Sequence, residues 1–535
     1  MLFNSYIFIL AFLPITLCIY YSLKQAKYKT YDLAWLVLAS FVFFSWWNPN
    51  LTFLLAFSVL FNFAISRFAS HGKNRFWLVL GIVVNLSLLG YFKYANFFVS
   101  VVNDTSGTNW HLEEIILPIG LSFFTFQQIA YLVDVHFKVK QENSLVRYAL
   151  FVTFFPQLIA GPIVHHADMM PQFGKYFRSR LILMNLAVGI SIFSVGLAKK
   201  VLIADAIAPL VTPVFTAASL GTPISFFEAW SAVTLYPLQL YFDFSGYSDM
   251  ALGIARMFGI VLPANFNSPF KATNIAEFWQ RWHISLTRFL LDYVYEPIAA
   301  RLTGRVIGWP RDSIRRFIIA LAIPTFITFF LSGLWHGAGW TFIIFGFLHA
   351  GYVILFLAWR QLRGRQAPAH TLIEKFPGWL LTMATVMVAF VFFRAESVAS
   401  ALIILGAICG SNGISLPVSF LPHAIGHADF LSTFGIIFEG VSPNDLIGLT
   451  KMRLLGVICL IPICLAMPNT LQIFSRYTPA LMARYGRPYV NISAQSSWLN
   501  LTWRPTRFWA IATGICMAFA ISHLSTVTEF IYFQF

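Results

Sequence analysis

The stretch FIIALAIPTFITFFLSGLWHGAGWTFIIFGFLHAGYVILFLAW, residues 317–359, decides the fold class. It contains no Asp, Glu, Lys or Arg, and its length is about twice the ~20 apolar residues that cross a bilayer as one helix. Gly333, Gly337 and Gly339 lie near its centre, where they permit a break in the helix and close backbone approach. The stretch therefore predicts two membrane segments with His336 close to the break between them.

The composition of the whole chain agrees with this interpretation. Of 535 residues, 58% are hydrophobic and 11% are charged, and the mean hydropathy is +0.72. A globule of this size could not bury so much apolar surface behind a polar shell, so a soluble fold is excluded. The formal net charge of +15 indicates cationic loops on the cytoplasmic side of a membrane and not a nucleic-acid partner. The five cysteines lack C-x-x-C spacing and are interpreted as core residues.

Further apolar stretches follow one another along the chain. We predict an all-α, polytopic membrane protein with about ten to fourteen membrane segments, some of them re-entrant, that forms a single integral-membrane domain over residues 1–535 in the lipid bilayer. The candidate segments are residues 3–21, 31–47, 51–66, 76–99, 115–135, 145–164, 181–203, 225–242, 317–335, 340–359, 377–393, 398–410, 453–468 and 507–524.

The positions of the cations predict the orientation. Lys24, Lys27 and Lys29 follow the first segment, and Arg504 and Arg507 precede the last. Because Lys and Arg concentrate in cytoplasmic loops, both termini are expected outside, with residues 525–535 as an extracytoplasmic tail.

Residues 271–316 carry more charge than a membrane segment could hold, so we predict a cytoplasmic segment there. Within residues 274–297, apolar residues recur at helical spacing, and Glu277, Arg281, Arg288 and Asp292 occupy the opposite face. Asn274 followed by Glu277 is the start signal of a capping box. The pattern predicts one amphipathic helix at the membrane interface. His283 lies at the border of its apolar face, either as a site residue that points inward or as an ordinary boundary residue.

His336 is a titratable group inside an apolar segment, where the neutral imidazole is favoured. It suits general-base chemistry on a hydroxyl, and the alternative is a histidine that hydrogen-bonds between packed helices. Asp243 and Asp249 are a second intramembrane pair, which either orients a histidine or has a structural role.

No metal site is predicted. H-E-x-x-H is absent from the sequence, and neither His165–His166 nor the group of His423, His427 and Asp429 has a supporting carboxylate pattern. The sequence likewise has no G-x-S-x-G elbow and no P-loop.

Six segments, taken in order, resemble the bacterial branch of the membrane-bound O-acyltransferase family, whose members O-acetylate alginate, peptidoglycan and related polymers or D-alanylate teichoic acids. They are LPIGLSFFTFQ (117–127), FFPQLIAGPI (154–163), YFDFSGYSDMALG (241–253), EFWQRWHISLTRFLLDYVY (277–295), LSGLWHGAGW (331–340) and FIYFQF (530–535). Residues 396–500 match no pattern that we can name.

The resemblance implies a central tunnel through which an acyl group passes from a cytoplasmic thioester to an acceptor outside. It implies that His336 and His283 are catalytic, and that Tyr532 in the terminal motif is an acyl relay or acceptor. The alternative for Tyr532 is an interfacial aromatic anchor.

The donor is expected to be acetyl-CoA or another acyl thioester, with no resident cofactor. Candidate donor-binding residues are Arg281, Arg288, Trp279, Trp282 and Trp335, although for the arginines the positive-inside bias is an alternative explanation. The resemblance further implies the bacterial cytoplasmic (inner) membrane, a polysaccharide acceptor and an extracytoplasmic, hydrolase-like partner protein. The alternative functions are a transporter or flippase of an acylated lipid or glycan, and an acyltransferase acting on lipid or protein.

Overall fold

The helices account for most of the fold. The computed structural model describes residues 1–25, 30–70, 74–137, 141–174, 179–310, 313–364, 371–417, 436–439, 447–481, 501–524 and 530–531. Its α-helices are α1 (Leu13–Gln25), α2 (Tyr31–Ser45), α3 (Leu51–Ala69), α4 (Arg75–Ser106), α5 (Leu121–Phe137), α6 (Leu145–Thr153), α7 (Phe155–Leu158), α8 (His166–Met169), α9 (Ser179–Ala198), α10 (Asp205–Ser219), α11 (Phe226–Met257), α12 (Ile275–Arg281), α13 (Ile284–Leu290), α14 (Glu296–Arg305), α15 (Ile314–Phe317), α16 (Ile323–His336), α17 (Trp340–Arg363), α18 (Leu372–Arg394), α19 (Val398–Ile408), α20 (Ile447–Ala466), α21 (Thr470–Ile473) and α22 (Arg507–Ser522).

Shorter helical turns and two strands complete the described elements. The turns have π geometry at Phe8–Phe12, Lys199–Ala204, Leu291–Tyr295 and Ile318–Ala322, and 3₁₀ geometry at Met170–Gln172, Pro269–Lys271 and Ser475–Tyr477. Strands β1 (Ile414–Pro417) and β2 (Ile436–Glu439) pair in parallel, with Ile414 opposite Ile436. This small ladder adds to the predicted all-α fold without changing its class.

Seven helical stretches within the described residues are long and apolar enough to cross a membrane. They are Phe8–Gln25, Leu51–Ala69, Arg75–Ser106, Ser179–Ser219, Ile314–His336, Trp340–Arg363 and Ile373–Arg394. Shorter apolar helices lie at Tyr31–Ser45, Val398–Ile408, Leu455–Ala466 and Arg507–Ser522. Large apolar side chains such as Phe53 and Leu183 are exposed on their outer faces, as expected of surfaces that contact lipid. The chain is a multi-pass membrane protein.

The predicted segment at residues 145–164 is wrong as a single membrane segment. It forms the short helices α6 and α7, which are separated by a non-helical Phe154. Pro156 lies in the first turn of α7, where its missing N–H cannot continue the hydrogen bonds of α6. Helix α7 and residues 148–153 of α6 are buried.

Helix α11 lies at the centre of the bundle and crosses α9 at very close range. A Cβ atom added to Gly196 would lie 2.6 Å from the carbonyl oxygen of Gly246, and one added to Gly189 would lie 2.6 Å from that of Gly253. Because only glycine permits such backbone contact, these pairs determine how close the two helices lie.

The predicted break in residues 317–359 is confirmed. Helix α16 ends at His336, Gly337 is extended with φ −164° and ψ 156°, and α17 begins at Trp340. The two helices pack as a hairpin in which a Cβ on Gly333 would lie 2.4 Å from the carbonyl oxygen of Phe342. His336 is thus the last residue of a helix that is held tightly against its successor.

The single amphipathic helix predicted for residues 274–297 is wrong. Asn274 caps α12, since its side chain accepts from the backbone N–H of Glu277 at 2.9 Å. The Glu277 carboxylate accepts from the backbone N–H of Thr273 at 2.9 Å, so the structure gives only the Asn274 half of the expected capping box. The helix then stops at Arg281, because Trp282 is extended and His283 has a left-handed backbone with φ 45°. Most residues of α12 and α13 are buried inside the bundle, so these helices bring side chains from this segment towards His336.

Candidate functional site

His336 lies at the C-terminal end of α16 and is only 6% exposed. The rings of Phe345 and Phe393 pack edge-on against its imidazole, with centroids 5.7 and 5.1 Å away. Aromatic side chains therefore surround the ring, which places it in apolar surroundings as the sequence predicted.

His283 is 1% exposed, so its side chain points inward, the first of the two placements that the sequence left open. Its strained backbone is held by residues on either side: Ile284 N–H donates to the carbonyl of Asn265 at 2.9 Å, and Asn267 N–H donates to that of Arg281 at 2.9 Å. Burial lowers the pKa of His283 to about 3, so its imidazole is neutral at physiological pH.

Trp335 lies between the two histidines. Its ring centroid is 4.9 Å from that of His336 and 6.1 Å from that of His283. Phe126 from α5 stacks on the same indole at 5.5 Å. Residues predicted from two separate sequence motifs thus meet around one buried tryptophan, which the sequence proposed as a donor-binding residue.

Trp279 brings in a third histidine, which the sequence interpretation missed. Its indole N–H donates to Nδ1 of His349 at 3.3 Å, and its ring also contacts that imidazole. His349 is fully buried, and Phe345 packs between it and His336. Trp279 therefore orients a neighbouring imidazole in the described structure.

Lys93 and Tyr94 of α4 reach the end of α16. The Lys93 ammonium donates to the carbonyl of Trp335, and to that of His336 at 3.2 Å. Tyr94 Oη donates to the carbonyl of Leu334 at 2.6 Å. The sequence did carry a signal for this contact, because Lys93 is an ionisable residue within an apolar segment, and such residues are functional candidates.

Two other proposed donor-binding residues are embedded in packing. The sequence placed Arg281 on an exposed polar face, but the structure leaves it 2% exposed. Its guanidinium forms an ion pair with Glu277 at 2.7 Å and donates to the carbonyl of Asn267 at 3.1 Å. Trp282 is buried and stacks on Phe278. Arg281 is buried because the chain at Asn267 packs against both its side chain and its backbone.

Arg288 belongs to a separate polar cluster. It forms an ion pair with Asp168 at 2.6 Å, and its side chain is 12% exposed. Tyr293 Oη nearby donates to Asp134 at 2.9 Å and lies 3.3 Å from Nδ1 of His165. Burial, with a contribution from Arg288, lowers the pKa of His165 to about 3.

Asp243 and Asp249, for which the sequence left two roles open, pair with lysines of the π turn that follows α9. Lys200 bridges Asp243 and Asp205, each at 2.7 Å, and the side chains of Lys200 and Asp243 are 1% exposed. Lys199 contacts Asp249 at 2.6 Å, and Thr470 donates to the same carboxylate at 2.6 Å. A small cavity beside this second pair is lined by residues that include Tyr241, Ser248, Asn265 and Asn469.

Residues 530 and 531 of the C-terminal tail contact the ion pair of Lys200 and Asp243. The backbone N–H of Ile531 donates to Asp243 at 3.0 Å. Phe530 is buried, with its ring 4.6 Å from that of Tyr247 and 4.8 Å from the Lys200 ammonium. Tyr532 lies outside the described residues, so its role stays a prediction, as does the tunnel past His336.

The fold and these contacts define a class: a multi-pass membrane protein with histidines enclosed at the end of a helical hairpin. The family model of the membrane-bound O-acyltransferases matches residues 17–402, which include His283 and His336. The chain belongs to the membrane-bound O-acyltransferase family and is an O-acyltransferase.

Curated relatives are similar over most of the chain. The peptidoglycan O-acetyltransferase of Helicobacter pylori is 42% identical over 446 residues, which cover 78% of this chain and 81% of the relative. The probable alginate O-acetylase of Pseudomonas aeruginosa is 38% identical over 407 residues, 74% and 72% of the two chains. The teichoic acid D-alanyltransferase of Streptococcus thermophilus is 25% identical over 410 residues, 73% and 94% of the two chains.

Proposed function

We propose that this O-acyltransferase transfers an acetyl group from a cytoplasmic thioester, acetyl-CoA or another acyl carrier, to hydroxyl groups of a cell-surface polysaccharide outside the bacterial inner membrane. The observation that carries the proposal is the meeting of His283 and His336 around Trp335 inside a membrane bundle. The names of the relatives, which act on peptidoglycan and alginate, support acetyl as the acyl group and a polysaccharide as the acceptor.

In this proposal His336 is the general base. Its neutral imidazole takes the proton of an acceptor hydroxyl as the oxygen attacks the thioester carbonyl. The tetrahedral intermediate then breaks its C–S bond, and the departing thiolate receives that proton from the imidazolium. His283, neutral at physiological pH, polarises the thioester carbonyl by donating a ring N–H to its oxygen, or helps to bind the donor.

The surrounding residues divide the remaining tasks. Trp335 packs against the acyl thioester between the two histidines. Trp279 and Trp282 support the site indirectly, because their neighbours His349 and Phe390 both pack on Phe345 beside His336. Arg288, at the partly exposed polar cluster, attracts the anionic carrier from the cytoplasmic segment 271–316. Arg281 supports the site by bonding to the backbone of Asn267, which holds the chain just before the His283 break.

In the proposal both termini lie outside the membrane, and the tail of residues 525–535 accepts the acyl group there. Phe530 and Ile531 contact the Lys200–Asp243 pair on α11, and Tyr532 follows directly as an acyl relay or acceptor. A hydrolase-like partner outside the membrane completes transfer to the polymer.

The test uses inverted membrane vesicles, which expose the cytoplasmic face, and follows release of free thiol from acetyl-CoA. His336→Ala is expected to lose at least about 10²-fold in rate, because a positioned base contributes about 10² to 10⁴. His523→Ala, at an exposed histidine of α22's C-terminal end, is the control. A normal rate for His336→Ala at equal protein levels would refute the assignment.

Two further measurements separate the alternatives. A transporter or flippase would release no thiol from acetyl-CoA in these vesicles. Base-labile acetate recovered from the lipid or the protein fraction of whole cells, and not from polysaccharide, would favour the other acceptors. Tyr532→Phe keeps the ring and removes the hydroxyl, so full activity in this variant would support the interfacial anchor.

A further inference from the structure

Helix α16 ends at the residue that carries the proposed chemistry. His336 is its last residue, and Gly337 turns the backbone to an extended conformation. The last carbonyl groups of a helix have no partner within it, and inside a membrane no bulk water replaces that partner. The direction of the His336 side chain therefore depends on what holds these carbonyls.

The donors come from another helix, α4. The Lys93 ammonium contacts the carbonyls of Trp335 and His336, and Tyr94 donates to the carbonyl of Leu334. Two adjacent side chains thus engage three consecutive carbonyls at the end of α16. The ammonium also lies 5.8 Å from the centroid of the Trp335 ring, which separates the two histidines.

A cation at this point has a physical reason beyond hydrogen bonding. Carbonyl dipoles give a helix C-terminus a partial negative charge, so a positive charge is stabilised there. A charged side chain within an apolar helix is nonetheless costly and is rarely present without a functional role. Between residues 76 and 103, Lys93 is the only charged residue of α4.

We propose that Lys93 is a positioning residue for acyl transfer: its ammonium fixes the end of α16 and so aims the imidazole of His336 at the reacting hydroxyl. This inference rests on the proposed function of His336. Lys93 itself touches no reacting atom, and it acts through the backbone of residues 335 and 336. A shift of the imidazole by about 1 Å would reduce the rate by up to about 10²-fold.

The test compares three variants of the full chain in inverted vesicles with acetyl-CoA. Lys93→Met removes the donor and keeps most of the side-chain length, and Lys93→Arg keeps a cation that can donate. Asn85→Leu is the matched control, since it removes a buried hydrogen bond to Asn62 from the same helix α4 without touching the end of α16. Thiol release gives kcat and KM, and thermal unfolding in detergent gives the Tm of each variant.

Lys93→Met is expected to lower kcat at least about tenfold with KM for acetyl-CoA changed less than about twofold. Lys93→Arg should recover most of kcat, and Asn85→Leu should keep it even where its Tm falls as far as that of Lys93→Met. An unchanged kcat in Lys93→Met would overturn the proposal. So would equal losses of kcat in Lys93→Met and Asn85→Leu, or an Arg variant as slow as the Met variant.

Hydrogen exchange of the peptide that spans residues 332–339 is measured on the same samples. Lys93→Met should exchange faster there than wild type, because the end of α16 opens more often. If wild-type vesicles release no thiol at all, the proposed function fails, and the exchange rates then decide the positioning separately. Equal exchange in wild type and Lys93→Met would overturn it.

Discussion

Replacing Gly333 by alanine should separate α16 from α17 and displace His336. The added Cβ would lie 2.4 Å from the carbonyl oxygen of Phe342 and 3.0 Å from two backbone atoms of Gly346. Ordinary contacts are about 3.5 Å, and backbone atoms cannot rotate away, so the helices must move apart by about 1 Å. Overpacking of this kind costs about 1–3 kcal/mol, and alanine recovers up to about 1 kcal/mol through its helix propensity.

The net expectation for Gly333→Ala is a loss of about 1–2 kcal/mol in the free energy of unfolding, with kcat reduced at least about tenfold because His336 follows one turn later. Gly351→Ala in α17 is the matched control, since a Cβ there meets nothing within 4 Å. Chemical unfolding in detergent and thiol release from acetyl-CoA measure the two effects. Wild-type values of both stability and kcat in Gly333→Ala would refute the close packing of this hairpin.

Three more predictions concern the ion pair, the buried histidines and the helix cap. Lys200→Met should cost about 3–5 kcal/mol, because it leaves the buried Asp243 carboxylate without its cation. The double variant with Asp243→Asn should recover part of that loss, and equal stabilities of the two variants would contradict the pairing. Burial holds the pKa of His283 at about 3, below the ordinary value of about 6.5. The unfolded chain therefore binds more protons below pH 6.5, and the free energy of unfolding decreases as the pH is lowered. Between pH 6.5 and 5, His283 alone lowers the free energy of unfolding by up to about 2 kcal/mol. His283→Asn should therefore reduce the dependence of the free energy of unfolding on pH, measured by chemical unfolding at each pH. An unchanged dependence would contradict the burial of His283. Asn274→Ala should lower stability by about 1 kcal/mol and Asn274→Asp by much less, and equal effects would show that the cap bond to Glu277 contributes nothing.

The hairpin around His336 could be predicted because one signal dominated. A long run without charge requires helices in a bilayer, and glycines mark where they break, so composition alone located both α16 and α17. The family resemblance, which the comparisons confirm, carried the functional class, because it rests on six motifs in order.

Long-range contacts could not be predicted in the same way. Periodicity assumes a continuous helix, which the left-handed His283 interrupts. Arg281 lies before that interruption and is buried because the chain at Asn267 packs against it. The partners of Asp243 and Asp249 lie some fifty residues away in α9's continuation, and His349 meets Trp279 only because separate helices cross. Such pairings depend on tertiary packing, about which the local propensity of a residue carries no information.

The left-handed backbone at position 283 also limits how mutants there can be interpreted. Alanine would remove the imidazole and would also occupy a backbone conformation that residues with a Cβ disfavour. An inactive alanine variant could therefore result either from the missing imidazole or from a changed backbone conformation. Asparagine tolerates this region far better and retains a hydrogen-bonding side chain. Glycine restores backbone freedom without any side chain. Comparing the asparagine and glycine variants would therefore separate the contribution of the imidazole side chain from that of the left-handed backbone.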